Sequence, residues 1–206
     1  MPAKVLPKLY AIVDSSCFPA SEQLFRAADE LIRSGITMLQ YRNKSDDSRA
    51  MLADAIHLKV QIGARAKLVM NDRPDLCLAA GFDGVHVGQD DLSPESTRRI
   101  IGSERWLGVS THNPEQVAEA EFTTADYIAI GPVFTTTSKQ NPDPVIGVAG
   151  VARARELTRK PLVAIGGITR QNCLSVIAAG ADSVAIISDL VRYPAKSAEE
   201  FLRILG

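Results

Sequence analysis

Gln40, Arg42 and Lys44 occupy alternate positions of the run TMLQYRNK, directly after an apolar stretch. In an extended strand, residues two apart face the same side, so an amide and two cations converge at one strand end and make a place for an anion. Two carboxylates close later apolar runs, Asp72 in VMND and Asp91 in VHVGQDD. Farther along come a hydroxyl-rich loop, TTTSK, and a glycine pair in LVAIGGIT. Cations for phosphate oxygens, carboxylates for a hard metal ion and glycines that let backbone N–H groups approach an anion describe a site for a diphosphate and its metal.

Each of these features has a plainer reading. Mg2+ takes one or two protein carboxylates and fills its other positions with water and phosphate oxygens, which suits Asp72 and Asp91 on neighbouring strands. Asp72 also stands two residues before Pro74, where a helix cap would use it equally well. Asp90 and Asp91 both precede the helix start Ser93-Pro94-Glu95, and strand alternation does not choose between them once the strand has ended. The glycine pair and Ser188 follow the last two apolar runs and form a second anion site. The loop TTTSKQNPDP adds hydroxyls and Lys139, stiffened by Pro142 and Pro144, and reads as a lid over bound phosphate rather than an ordinary polar loop. His57 falls in a helical pattern and is expected at the surface. His86 lies within a strand as a hydrogen-bonded interior ring, and His112 is a minor option for proton transfer. No Ser–His–Asp, Cys–His or HExxH pattern is present, so covalent hydrolysis is not indicated.

Such residues need a frame that brings strand ends together. Eight short β-branched runs (KLYAIVD, TMLQYR, KLVMND, GVHVGQ, WLGVST, YIAIGP, LVAIGG, SVAIIS) alternate with segments whose apolar residues recur every three or four positions. SEQLFRAADELIRSG reads as a helix capped by its serine, and Gly35, Gly81 and Gly180 mark helix ends. The runs are almost continuously apolar, as in a parallel sheet covered on both faces. AAGFDGVHVG and AAGADSVAIIS repeat one helix-to-strand junction half a chain apart. The pattern predicts one (β/α)8 barrel over residues 1–206, with an open doubly wound sheet as the alternative. The barrel is favoured because polar motifs follow nearly every strand, whereas an open sheet gathers them at one switch point.

The chain has 206 residues, 46% of them hydrophobic, and 23 basic against 24 acidic residues for a formal net charge of −1. That balance argues against nucleic acid and membrane surfaces as partners and for small molecules. Cys17, Cys77 and Cys173 are widely spaced, which points to reduced thiols in a cytoplasmic protein. No run has the length of a membrane span. Assembly into a homo-oligomer is left open.

QYRNK, MNDR, HVGQDD, GVSTH, GPVFTTTSK, IGGIT and ADSVAIIS, in this order and over almost the whole chain, resemble the thiamine phosphate synthase family. The resemblance implies a barrel transferase that joins 4-amino-2-methyl-5-hydroxymethylpyrimidine diphosphate to 4-methyl-5-(2-hydroxyethyl)thiazole phosphate, or its carboxylated form, and releases diphosphate. It implies that Gln40, Arg42, Lys44, Asn71, Ser110 and Lys139 hold the pyrimidine diphosphate, with Arg42, Lys44, Ser110 and Lys139 serving the chemistry. It implies Asp72 and Asp91 as ligands of Mg2+, and Thr136, Thr137, Ser138, Gly167, Ile187 and Ser188 around the thiazole phosphate. Tyr41 and Asn43 replace the family's usual leucine and glutamate, and Thr135 stands where many members have proline. The implied path is dissociative: the aminopyrimidine stabilises the departing methylene as a cation, and the thiazole nitrogen then attacks. A thiazole tautomerase-like barrel would lack the paired aspartates, and a non-catalytic phosphate-binding barrel is the other alternative.

Overall fold

The computed structural model describes residues 5–136 and 143–206. Eight strands, β1 (Leu9–Asp14), β2 (Met38–Arg42), β3 (Lys67–Asn71), β4 (Gly84–Val87), β5 (Trp106–Thr111), β6 (Tyr127–Ile130), β7 (Leu162–Ile165) and β8 (Ser183–Ile186), pair in parallel with their sequence neighbours. β8 pairs with β1, so the sheet closes. The connecting helices are α1 (Ser21–Arg33), α2 (Ser48–Ile62), α3 (Pro74–Ala79), α4 (Pro94–Ile101), α5 (Pro114–Glu121), α6 (Gly147–Leu157), α7 (Cys173–Ala178) and α8 (Pro194–Leu205). The barrel expected from eight alternating motifs is the observed fold, because each apolar strand needs cover on its outer face and packing on its inner one.

Strand alternation divides the core in two. Leu9, Ala11, Val13, Leu39, Tyr41 and Leu68 face outward into a shell beneath the helices. Tyr10, Ile12, Met38, Val69, Trp106, Tyr127, Ala129, Val163 and Ala185 face inward and fill the barrel. Each fully buried side chain of this size contributes about 1.5–3 kcal/mol relative to exposure, which makes the strand register hard to slip.

Local chemistry sets the helix ends. Proline stands in the first turn of α3, α4, α5 and α8, where its missing N–H is no loss. Asp47 caps α2 by accepting from the amides of Arg49 and Ala50. α1 departs from expectation: Ala20 is its cap residue, and Ser21 lies inside the first turn with its hydroxyl donating to Asp54. Extended backbone at Ala20 starts the helix one residue early and turns the serine toward α2. Gly35, Gly81 and Gly180 end their helices at φ of 101°, 68° and 106°, where a Cβ would be strained.

The repeated junction has a mechanical basis. Asp83, just before β4, accepts from the amide of Leu68 on β3, while its own amide donates to the Leu68 carbonyl. Asp182 before β8 does the same with Leu162 on β7, and Asp126 before β6 with Leu107 on β5. Each aspartate is also paired with a cation, Lys59 and Lys67, Arg155, or Arg98 respectively. Three carboxylates thus clamp adjacent strands at the amino-terminal end of the barrel, leaving the carboxyl ends free to carry polar groups.

Candidate active site

The inward positions of β2 read Met38, Gln40, Arg42, so the sequence alternation holds as far as the strand does. Lys44 lies two residues past its end on the following loop. Neither cation stands alone. Arg42 donates to Asp14, the last residue of β1, which is 2% exposed and in register with it. The other Asp14 oxygen accepts from the amide and hydroxyl of Ser16 at 2.9 and 2.7 Å. Lys44 pairs with Asp72. The two charges expected to converge on a free anion are thus pre-held by carboxylates, and each keeps further N–H donors for a second acceptor.

Asp72 follows β3 at φ 62°, the one non-glycine residue in the left-handed region among those described. A residue bearing a Cβ adopts this conformation at a cost of roughly 1 kcal/mol or more. Its amide donates to the His86 carbonyl at 2.7 Å and its carboxylate accepts from Asn71 Nδ2 at 2.6 Å. The helix-cap alternative fails: the residue at the cap of α3 is Arg73, with no side-chain cap bond. The left-handed turn instead swings the carboxylate toward Lys44 and toward Asp91.

Asp91 accepts from the Gly88 amide at 2.7 Å and reaches the Asp72 carboxyl. Burial, and then the hydrogen bond and charge of Asp72, push its carboxyl above the usual range. Asp90 is exposed, so of the two candidates Asp91 is the one that joins Asp72. Among the described residues no third carboxylate, histidine or cysteine completes a closed metal cage around them.

His86 sits in the barrel interior, as its place in a strand predicts. Its Nδ1 meets the Tyr127 hydroxyl at 3.0 Å and its Nε2 meets Ser110 Oγ at 2.8 Å. Burial pushes its pKa down to about 4, so the ring is neutral at physiological pH. Gln40, 3% exposed, donates from Nε2 to Tyr10 Oη at 2.9 Å, and Tyr10 meets Tyr127 at 3.1 Å. His112, partly exposed, bonds the Gly131 carbonyl at 2.7 Å and faces Asp143 at 3.5 Å.

Across the mouth, the loops after β6, β7 and β8 lie together. Val133 and Phe134 donate to the carbonyls of Ile165 and Gly166, which lays the β6 loop along the glycine pair. Gly166 and Gly167 have φ of 99° and 62°, and a Cβ on Gly167 would come within 2.5 Å of the Thr135 carbonyl oxygen. The glycines are therefore demanded by contact between the two loops. Arg170 grips Asp189 at 2.9 Å, holding the Ser188–Leu190 turn beside the β7 loop. Ile187 immediately precedes that turn, partly buried, and Ser188 opens it, exposed. Thr137, Ser138 and Lys139 lie outside the described residues.

The chain matches the family model described as thiamine monophosphate synthase over residues 9–190. A thiamine-phosphate synthase of Koribacter versatilis is 57% identical over 203 residues, covering 97% of this chain and 96% of that protein. The chain belongs to the thiamine monophosphate synthase family. Another family member, a thiamine-phosphate synthase of Agrobacterium fabrum, is 40% identical over 92% of this chain and 88% of its own length. The solved structure of a thiamine phosphate pyrophosphorylase from Pyrococcus furiosus superposes with a TM-score of 0.84 at 32% identity, over 96% of this chain and 95% of that one. Within this family barrel, the residues that sequence reading passed over are those that hold others: Asp14, Tyr10 and Tyr127. Asp14 ended an apolar run, as Asp72 and Asp91 did, and that position was its only signal. Tyr10 and Tyr127 lie inside the apolar runs KLYAIVD and YIAIGP and carried no such signal.

Proposed function

We propose that the chain makes thiamine phosphate from the pyrimidine diphosphate and the thiazole phosphate, or its carboxylated form, with release of diphosphate. The observation that carries this reading is the meeting of Asp72 and Asp91, carboxyl against carboxyl, with Lys44 on one of them and Arg42 one strand away. Two carboxylates pushed together, one with a raised pKa, form a site that is relieved by added positive charge. Two hard oxygen donors with open positions fit Mg2+, which Asp72 and Asp91 would hold. When bound, that ion neutralises diphosphate charge as the leaving group departs.

The chain's own groups account for the rest. Arg42 and Lys44 donate to the diphosphate oxygens while their carboxylate partners keep them in place, and charge growing on those oxygens strengthens the bonds. Lys139 acts with them from the β6 loop. Gln40, Asn71 and Ser110 orient the pyrimidine so that its bond to the departing oxygen points at the diphosphate. Gly167, Ile187, Ser188, Thr136, Thr137 and Ser138 take the thiazole phosphate. Both partners are thereby held in line, which supplies much of the acceleration without a protein nucleophile. A dissociative path follows, with the aminopyrimidine stabilising the methylene cation until the thiazole nitrogen attacks. Three unpaired cysteines accord with a cytoplasmic setting.

The direct test is incubation of the purified protein with both phosphorylated heterocycles and Mg2+, followed by mass detection of thiamine phosphate. Absence of product under conditions where another family member forms it would overturn the reading. Product formation undiminished by a chelator would remove the metal from it.

A further inference from the structure

We propose that Tyr10, Tyr127 and His86 form a buried hydrogen-bond chain that couples the Gln40 amide to the Ser110 hydroxyl across the barrel, and so sets which polar atoms the mouth presents to its substrate. This rests on the reading of Gln40 and Ser110 as pyrimidine-binding groups. The chain runs through four contacts: Gln40 Nε2 to Tyr10 Oη, 2.9 Å; Tyr10 Oη to Tyr127 Oη, 3.1 Å; Tyr127 Oη to His86 Nδ1, 3.0 Å; and His86 Nε2 to Ser110 Oγ, 2.8 Å. Tyr10 and Tyr127 are 1% and 0% exposed and His86 is 8% exposed.

The direction follows from counting hydrogens. Each phenol carries one, and a neutral imidazole carries one on nitrogen. Gln40 donates to Tyr10, so the Tyr10 hydrogen goes to Tyr127. The Tyr127 hydrogen then goes to His86 Nδ1, which leaves the ring hydrogen on Nε2, directed at Ser110 Oγ. Ser110 accepts from inside the barrel and keeps its own hydrogen for the mouth. At the other end Gln40 has turned its nitrogen inward and offers Oε1. The site therefore presents an acceptor at Gln40 and a donor at Ser110, a pattern suited to a ring amine on one side and a phosphate or ring-nitrogen acceptor on the other. No phenol or ring in the chain has a spare hydrogen, so one link reverses only if all do, and the two ends turn together.

The backbone makes room for this arrangement. Gly108 lies on β5 opposite His86 and Tyr127 in register. A Cβ there would fall 2.1 Å from Tyr127 Cζ and 2.4 Å from His86 Nδ1. Glycine in mid-strand weakens a sheet and is used where other groups approach closely. Here it admits the contact between ring and phenol. Tyr10, Tyr127 and His86 are positioning residues that act through Gln40 and Ser110.

Nitrogen-15 NMR of the whole protein at neutral pH reads the His86 tautomer directly, with only two other histidines to assign. The expected state is hydrogen on Nε2 and a bare Nδ1; hydrogen on Nδ1 overturns the direction of the chain. Tyr127→Phe removes a central link with little change of shape. It is expected to raise the KM for the pyrimidine diphosphate about tenfold, as loss of a well-aligned hydrogen bond would, and to leave the KM for the thiazole phosphate unchanged. Tyr10→Phe breaks the chain one link earlier and should show the same split, and it serves alone if Tyr127→Phe does not fold. Combining the two should cost no more than the larger single effect, because a chain broken once is already broken. Equal rises in both KM values, or no change in either, overturn the proposal. The tautomer measurement needs no turnover, so failure to make thiamine phosphate would count against the proposed reaction while the chain is still decided by NMR.

Discussion

Replacing Asp14 by asparagine probes how the first cation of the mouth is held. Asp14 closes β1 with a side chain 2% exposed, and its partner Arg42 is 20% exposed. One of its oxygens serves Ser16 and the other serves the guanidinium. Asparagine keeps the shape, removes the charge and turns one acceptor into a donor that must face either Arg42 or Ser16. Breaking a fully buried ion pair costs about 3–5 kcal/mol, because one charge is left uncompensated. Partial exposure of Arg42 lets water take up some of that loss, which brings the expected cost to about 2–3 kcal/mol. In a chain of this size that lowers the melting temperature by roughly 5–10 °C. Scanning calorimetry in metal-free buffer measures it, with Arg42→Gln and the double substitution alongside. The double variant should be no less stable than Asp14→Asn alone, since removing the orphaned charge removes most of its penalty. Steady-state kinetics should show a higher KM for the pyrimidine diphosphate and an unchanged KM for the thiazole phosphate. A melting temperature within about 1 °C of the wild type, or strictly additive losses, would refute the view that the two residues act as one unit.

Asp91→Asn is expected to fold normally and to lose on the order of a hundredfold in turnover, with excess Mg2+ restoring only part of it; wild-type turnover at limiting Mg2+ would shift the ligand role to Asp90. Gly167→Ala places a Cβ 2.5 Å from the Thr135 carbonyl oxygen at φ 62°, so titration calorimetry should show weakened thiazole phosphate binding with pyrimidine diphosphate binding retained, and the opposite pattern would exchange the two sites. Asp83 is pulled by burial toward a higher pKa, but the Leu68 amide and Lys59 more than offset this and hold it below the usual carboxylate range. A carboxyl with a depressed folded pKa stabilises above its unfolded pKa of about 3.9 and loses that contribution as pH falls through the folded value. Asp83→Asn should therefore cost stability at pH 7, and the difference from wild type in urea melts should shrink as the pH falls below about 4. A difference that stays constant down to strongly acidic pH would assign the loss to packing instead.

Strand number, strand order and the end of the barrel that carries the polar groups were legible in the chain because each follows from local rules. Apolar runs such as KLVMND and YIAIGP need cover on both faces, glycines such as Gly81 and Gly180 end helices in a conformation other residues avoid, and residues two apart in QYR share a side. Alternation stops being informative where a strand stops, which is why Lys44, Asp72 and the choice between Asp90 and Asp91 needed the folded chain. Asp72 reaches Asp91 only through a left-handed backbone step that a Cβ-bearing residue seldom takes. Pairing across strands was equally hidden: Asp14 and Arg42 are 28 residues apart and Tyr10 and Tyr127 are 117 apart. Closing the barrel sets these groups face to face at low dielectric, where a charge or hydroxyl must find a partner, and the identity of that partner is a property of three-dimensional contact rather than of spacing along the chain.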